Sequence, residues 1–207
     1  MDDPEPHGAA LNMAIDEVLL AEVSAPVLRV YRWERPAVSF GYFEAWAPVR
    51  ESYAGRDAVR RWTGGGVVPH GADFTYSLLI PRGLAEAAGR CYEVIHAALR
   101  AALAEAGIHA MPAVADAEKR SRACFENPVT HDVVIAGRKV AGAAQRRTRA
   151  GLLHQGSVQG LGLPERFGAI FAARLACRVH LFDPGTPAEA LELAARKYGT
   201  REWLERR

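Results

Sequence analysis

Apolar and polar positions alternate along this chain in two rhythms, and their order predicts its architecture. In "AALNMAIDEVLLAEV", residues 9–23, Leu11, Ile15, Val18 and Leu19 recur at helical spacing, so an amphipathic helix is expected. "PVLRVYRW" and "AVSFGYF" are rich in β-branched and aromatic residues and read as two strands parted by the turn-prone "ERP". From Phe74 to Ile80 the period shortens to two, with Phe74, Tyr76 and Leu78 on one face and Thr75, Ser77 and Leu79 on the other. Residues 88–106 return to helical spacing through Tyr92, Ile95, Leu99 and Leu103, and Gly107 is placed to stop that helix. "HDVVIAGRKVAGAAQRR" reads as a hairpin turning at Ala136-Gly137, followed by a strand in "GLLHQGSVQG". Thr186-Pro187-Ala188-Glu189 has the form of a capping box opening a helical C-terminal end. Helix, strands, helix, strands and helices, with hairpin-length links, predict an α/β fold with a mixed, mainly antiparallel sheet flanked by helices. At 207 residues, one domain over residues 1–207 is expected.

Composition narrows the function classes. The 49% hydrophobic and 24% charged content is that of a globular protein, and a net charge of +2 carries no concentrated basic stripe for nucleic acid. The densest basic run, "RKVAGAAQRRTR", is broken by small residues. No apolar stretch approaches bilayer length, and the acidic start "MDDPEPHG" lacks the apolar core of a secretory signal. Neither a nucleic-acid nor a membrane partner is expected. The three cysteines, Cys91, Cys124 and Cys177, are an odd number without metal-ligand spacing, which fits a reduced cytoplasmic compartment and no metal site.

Candidate chemistry concentrates in "RRWTGGGVVPHGADFTYSLLIP", residues 60–81. Gly64, Gly65 and Gly66 favour no regular element; their use is to admit positive φ or a close approach to the main chain. Arg60 and Arg61 are planar, bidentate donors suited to an anion, or else solvated loop residues. Neither the phosphate-binding P-loop nor the dinucleotide fingerprint fits this spacing. Lys139, in "GRKVAG" between Gly137 and Gly142, is either a solvated hairpin lysine or a point charge reaching a carbonyl or phosphate oxygen. Cys124, in "RACFENP", lies in a polar segment near Arg120 and Arg122, where positive charge favours the thiolate. Cys91 and Cys177 fall in apolar, helix-like stretches and read as structural. His70 and His154 are each either a structural histidine or a base.

Taken together, "LNMAIDEVLL", "VLRVYRWERPAVSFGYFE", "RRWTGGGVVPHGADFTYSL", "DVVIAGRKVAGAAQRR" and "LLHQGSV" resemble the lipoate–protein ligases and octanoyltransferases, relatives of the biotin ligases. The resemblance implies a core similar to the class II aminoacyl-tRNA synthetase and biotin ligase catalytic domains, without an accessory C-terminal domain. It implies that the glycine segment lies against an acyl chain and adenylate, with Arg61 and Gly66, Val67, Val68 and Pro69 lining the adenylate site or its vacant equivalent. It also implies that Lys139, beside Gly142, contacts the acyl carbonyl, with His70 and His154 nearby. Two reactions follow from the resemblance. A transferase takes an octanoyl group from acyl carrier protein through a Cys124 thioester and needs no cofactor. A ligase activates lipoate or octanoate with ATP and Mg. The 15-residue separation of Cys124 from Lys139 resembles the transferase pair, whereas the full glycine triplet resembles the ligases. The acceptor in both is a lipoyl carrier domain, that of the glycine-cleavage H protein or of a dehydrogenase E2. A non-catalytic binder of lipoylated domains is the third reading.

Overall fold

In the computed structural model, which describes residues 1, 3, 5–85, 90–116 and 128–206, the first half runs α1 (Ala9–Glu22), β1 (Val27–Tyr31), β2 (Ala37–Phe40), α2 (Trp46–Ser52), β3 (Asp57–Arg60), β4 (Val67–His70) and β5 (Phe74–Pro81). The second half adds α3 (Arg82–Ala85), α4 (Cys91–Glu105), β6 (Met111–Pro112), β7 (Val133–Ile135), β8 (Arg138–Arg147), β9 (Gly151–Val158) and α5 (Phe167–Leu175). It closes with α6 (Ala188–Leu193), a π-helical turn (Ala194–Tyr198) and α7 (Arg201–Glu205). Six strands pair in the order β1-β5-β9-β8-β7-β6, each antiparallel to its neighbour. A smaller sheet, β3-β2-β4, pairs β2 parallel with β3 and antiparallel with β4. The two strands read from "PVLRVYRW" and "AVSFGYF" both form, but in different sheets.

The period-two pattern at 74–80 produces β5, an interior strand of the large sheet between β1 and β9. Tyr76, Leu78 and Ile80 pack under α4 and α5 with Ile95, Leu99, Leu103 and Phe171. Leu79 faces the opposite layer, beside Leu153 and the Met13, Ile15, Leu19 and Leu20 side chains of α1. Each such fully buried aliphatic side chain contributes about 1.5–3 kcal/mol. The hairpin turns at Ala136 and Gly137, with φ of 49° and 76°, as a two-residue turn matching strand twist requires. No described helix is long and apolar enough to cross a membrane.

Three expectations change. Leu11 and Val18 are only half-buried on α1, whereas Asn12 and Asp16 are fully buried. The reason is Arg29 of β1, whose guanidinium is buried and bonded to Asp16 Oδ1 at 3.0 Å, Asn12 Oδ1 at 2.7 Å and Asp3 Oδ2 at 2.7 Å. A buried charge needs such partners, so the inward face of α1 is part polar. The capping box at 186–189 does not close: Pro187 is the N-cap of α6 and no side chain caps that helix. Cys177 is exposed just beyond α5, since α5 ends at Leu175 and takes no further turn to carry it inward; Cys91 is buried as expected.

Candidate active site

A crevice with about 420 Å³ of free space, mouth included, opens between the two sheets. Ser39 of β2 and Val68 and His70 of β4 form one wall, Gly142 of β8 and Gln155 and Ser157 of β9 the other. Met13, Tyr31 and Trp33 add apolar surface. A mostly apolar slot with a few converging polar groups suits an aliphatic chain ending in a polar carbonyl. Beneath it, Gln155 is held by Thr63 Oγ1 at 2.7 Å and by Asp16 Oδ2 at 2.8 Å.

Gly64, Gly65 and Gly66 do not themselves line this crevice; they form the loop between Arg61 and Val68, which do. Gly65 has φ +83°, a left-handed conformation costly to other residues, whereas Gly64 needs no such freedom and a Cβ there would meet nothing. The closest approach involves a glycine outside the triplet. A Cβ on Gly41, just past β2, would lie 2.8 Å from the carbonyl carbons of Gly64 and Gly65 and closer still to the Gly65 oxygen. Arg61 fixes the loop from within: Nη2 donates to the Gly64 and Gly66 carbonyls at 2.9 and 2.8 Å, and Nη1 donates to Ser39 Oγ at 2.8 Å. Arg60 points elsewhere. It is buried against five main-chain carbonyls, including those of Tyr42, Glu44 and Leu204, and does not line the crevice. Of the strand that follows, Val68 and His70 line the crevice, Val67 turns into the core with Val38 and Phe40, and Pro69 borders an outer groove.

Lys139 is buried behind Gly142. Its Nζ lies 2.7 Å from Asp132 Oδ2, and a Cβ on Gly142 would come within 2.6 Å of that nitrogen. Asp132 is fully buried and also accepts from Tyr92 Oη at 2.5 Å and the Val129 amide at 2.7 Å. Burial and the adjoining Asp132 charge push the Tyr92 phenol far up, so it stays a donor. The hairpin brings the pair together: Val134 registers with Lys139, with an irregularity between Val133 and Val134 just beyond Asp132. The result is a buried cation held by Asp132 behind Gly142, which lines the crevice.

The two histidines separate. His70 lines the crevice, stacked on Trp33 at 4.1 Å, with Nε2 2.7 Å from Ser39 Oγ and Nδ1 2.8 Å from Asp73 Oδ2. Burial lowers the His70 pKa against the opposing pull of Asp73, so the ring is neutral at neutral pH. Burial pushes the Asp73 carboxyl up, but donors from His70, the Gly71 amide and Ser157 outweigh it and hold the pKa at about 2. His154 lies away from the crevice, in the core beneath α4. It bonds to Tyr76 Oη and Gln145 and packs edge-on against His96, and burial lowers its pKa strongly. Cys124 lies outside the described residues. Among the described residues no His, Cys, Asp and Glu cluster is arranged to hold a metal.

Sequence reading had not singled out Ser39, Gly41, Asp73 or Asp132. Asp132 carried one usable signal, an acidic residue opening the very hairpin that presents Lys139.

With this geometry in place, the chain belongs to the lipoyl protein ligase A/B catalytic domain family, whose model matches residues 8–173. An octanoyltransferase LipM from Kyrpidia tusciae is 36% identical over 168 residues, covering 72% of this chain and 61% of the relative. This chain thus spans about three fifths of the length of the curated relatives it matches. The fold is that of a lipoate-protein ligase A solved with bound ATP, at TM-score 0.76 and 19% identity, covering 99% of this chain and 96% of the other. It also matches a bi-partite lipoate protein ligase of Thermoplasma acidophilum, solved in a study with its E2 lipoyl domain, at TM-score 0.67 and 19% identity, covering 99% and 94%.

Proposed function

We infer that this chain transfers an octanoyl group from a carrier-protein thioester to the lysine of a lipoyl carrier domain. The observation that carries the reading is the buried Lys139–Asp132 pair behind Gly142, at an apolar crevice in a chain whose relatives are named octanoyltransferases. The aliphatic chain occupies the slot between Met13, Trp33, Val68 and Ala143, leaving its carbonyl toward Gly142. There the Lys139 ammonium stabilises the oxyanion formed on nucleophilic attack, a contribution usually of order 10² or more in rate. In this reading Cys124 is the nucleophile that carries the acyl group as a thioester, and the lysine amine of the H protein or E2 lipoyl domain then displaces it. The route requires neither ATP nor magnesium.

A second reading, ATP-dependent ligation of lipoate or octanoate with magnesium, draws on the glycine loop and on Arg61, whose guanidinium borders the crevice where an adenylate phosphate would lie. The deciding experiment is intact-mass analysis after incubation with octanoyl carrier protein, run beside octanoate with ATP and magnesium. A hydroxylamine-labile octanoyl adduct, absent in Cys124→Ser, is the expected result. An unmodified chain that acylates a lipoyl domain only with ATP would select the ligase.

A further inference from the structure

A lysine side chain is an ammonium ion at neutral pH, so its nitrogen must shed one proton before it can attack, whichever activated acyl group is the target. Lys139 is a cation paired with Asp132, with donors and no acceptor, so it cannot take the proton. Among the described residues lining the crevice, the neutral base is His70. Asp73 settles its tautomer. That carboxylate already accepts from Thr75 Oγ1 at 2.8 Å, Ser157 Oγ at 2.7 Å and the Gly71 amide at 3.0 Å, so it meets His70 as an acceptor. The proton between them therefore sits on Nδ1, and Nε2 turns its lone pair to the Ser39 hydroxyl. The ring is held in that pose by Trp33, stacked at 19° and itself bonded through Nε1 to Thr75 Oγ1 at 2.9 Å.

We propose that Ser39, His70 and Asp73 form a proton relay that serves the incoming amine. This rests on the acyl-transfer reading above but on neither choice of donor. The incoming ammonium gives one proton to Ser39 Oγ while the Ser39 proton passes to His70 Nε2 and from there to water, and the freed amine attacks the acyl carbon. Collapse of the tetrahedral intermediate breaks the bond to the leaving thiolate or phosphate, which takes the second proton that the nitrogen sheds as the amide forms. Arg61, donating to Ser39 Oγ at 2.8 Å, stabilises the oxygen while it is electron-rich, and Asp73 stabilises the transient imidazolium as a positioning residue. The same groups in Ser-His-Asp hydrolases make serine the nucleophile; here the hydroxyl is a bridge.

The test compares two acceptors on acyl-loaded protein: a lipoyl domain, whose lysine needs a base, and hydroxylamine, which is already unprotonated at neutral pH. His70→Gln, Asp73→Asn and the milder Ser39→Ala are each checked for folding by circular dichroism. Transfer to the lipoyl domain should fall by about 10²-fold or more, the usual worth of a general base, while hydroxamate formation above the spontaneous rate stays within about threefold. Equal loss toward both acceptors in folded, acyl-loaded variants would show a merely structural role and overturn the relay. Full transfer to lysine by Ser39→Ala and His70→Gln would also overturn it. Wild-type protein that accepts no acyl group from either donor would instead defeat the acyl-transfer reading.

Discussion

Adding a single methyl group at Gly142 tests whether the placement of Lys139 matters. A Cβ there would lie 2.6 Å from Lys139 Nζ, nearer still to Cε, and 3.1 Å from Asp132 Oδ1, whereas ordinary contact begins near 3.4 Å. The strand does not yield easily, since Gly142 pairs with Ser157 inside the large sheet. The lysine end must therefore retreat by about 1 Å, stretching its 2.7 Å bond to Asp132. A displacement of that size at a catalytic group costs about 10²-fold in rate. Weakening a buried ion pair without deleting it should cost less than the 3–5 kcal/mol of outright removal, about 1–3 kcal/mol. The assay is the initial rate of acyl transfer to a lipoyl domain, read beside a urea unfolding curve. Gly142→Ala should fold, lose about 1–3 kcal/mol and transfer at about one hundredth of the wild-type rate. A folded Gly142→Ala within threefold of wild type would refute the reasoning and remove Lys139 from the chemistry.

Three further outcomes follow from the same coordinates. Gly41→Ala should fail to fold or lose more than about 3 kcal/mol, because the added atom meets main chain in the glycine loop; a wild-type melting curve would contradict this. Gly65→Val should keep the fold at a cost of about 1–2 kcal/mol and lose transfer, while Gly64→Ala should melt like wild type; equal melting of the two would contradict the φ argument. His96 is pushed down to about 4, chiefly by burial, and its Nε2 has no hydrogen-bond partner among the described residues. The unfolded chain therefore binds a proton near pH 6.5 that the folded chain refuses. About 3 kcal/mol of stability should disappear as pH falls from 6.5 to 4, with His154 and His70 acting in the same direction. The gap between urea midpoints at pH 7 and 4.5 should be smaller in His96→Gln than in the wild type; an unchanged gap would contradict the assignment.

Sequence periodicity revealed whatever depends on near neighbours. The alternation through Phe74–Ile80, the helix ended by Gly107 and the Ala136–Gly137 turn are local patterns, and each reappears in the structure. Lys139 was legible because its hairpin is local as well. What stayed hidden depends on pairings across long separations. Arg60 read as an anion donor because its carbonyl partners, up to 144 residues away, leave no mark in the sequence. Asn12 and Asp16 broke the apolar stripe of α1 for Arg29, which joins from β1. Ser39 meets His70 only because β2 and β4 pair, whereas Asp73 reaches the ring locally from three residues on. A serine before a phenylalanine in a strand carries no hint of that histidine.

Arg60 has one more consequence. Its guanidinium reaches the main-chain oxygens of Tyr42, Glu44 and Leu204 at 2.8, 2.7 and 2.6 Å and caps the otherwise unmatched carbonyls at the end of α7. A contact made to carbonyls is indifferent to the side chains those residues bear. Positions 42, 44 and 204 can therefore drift during divergence without unpairing the buried charge, provided the backbone keeps its path. A search for co-varying residue pairs would find no trace of the bonds that fasten the last helix to the small sheet. Their record would be one-sided: an arginine held constant at position 60 opposite carbonyls that any residue supplies.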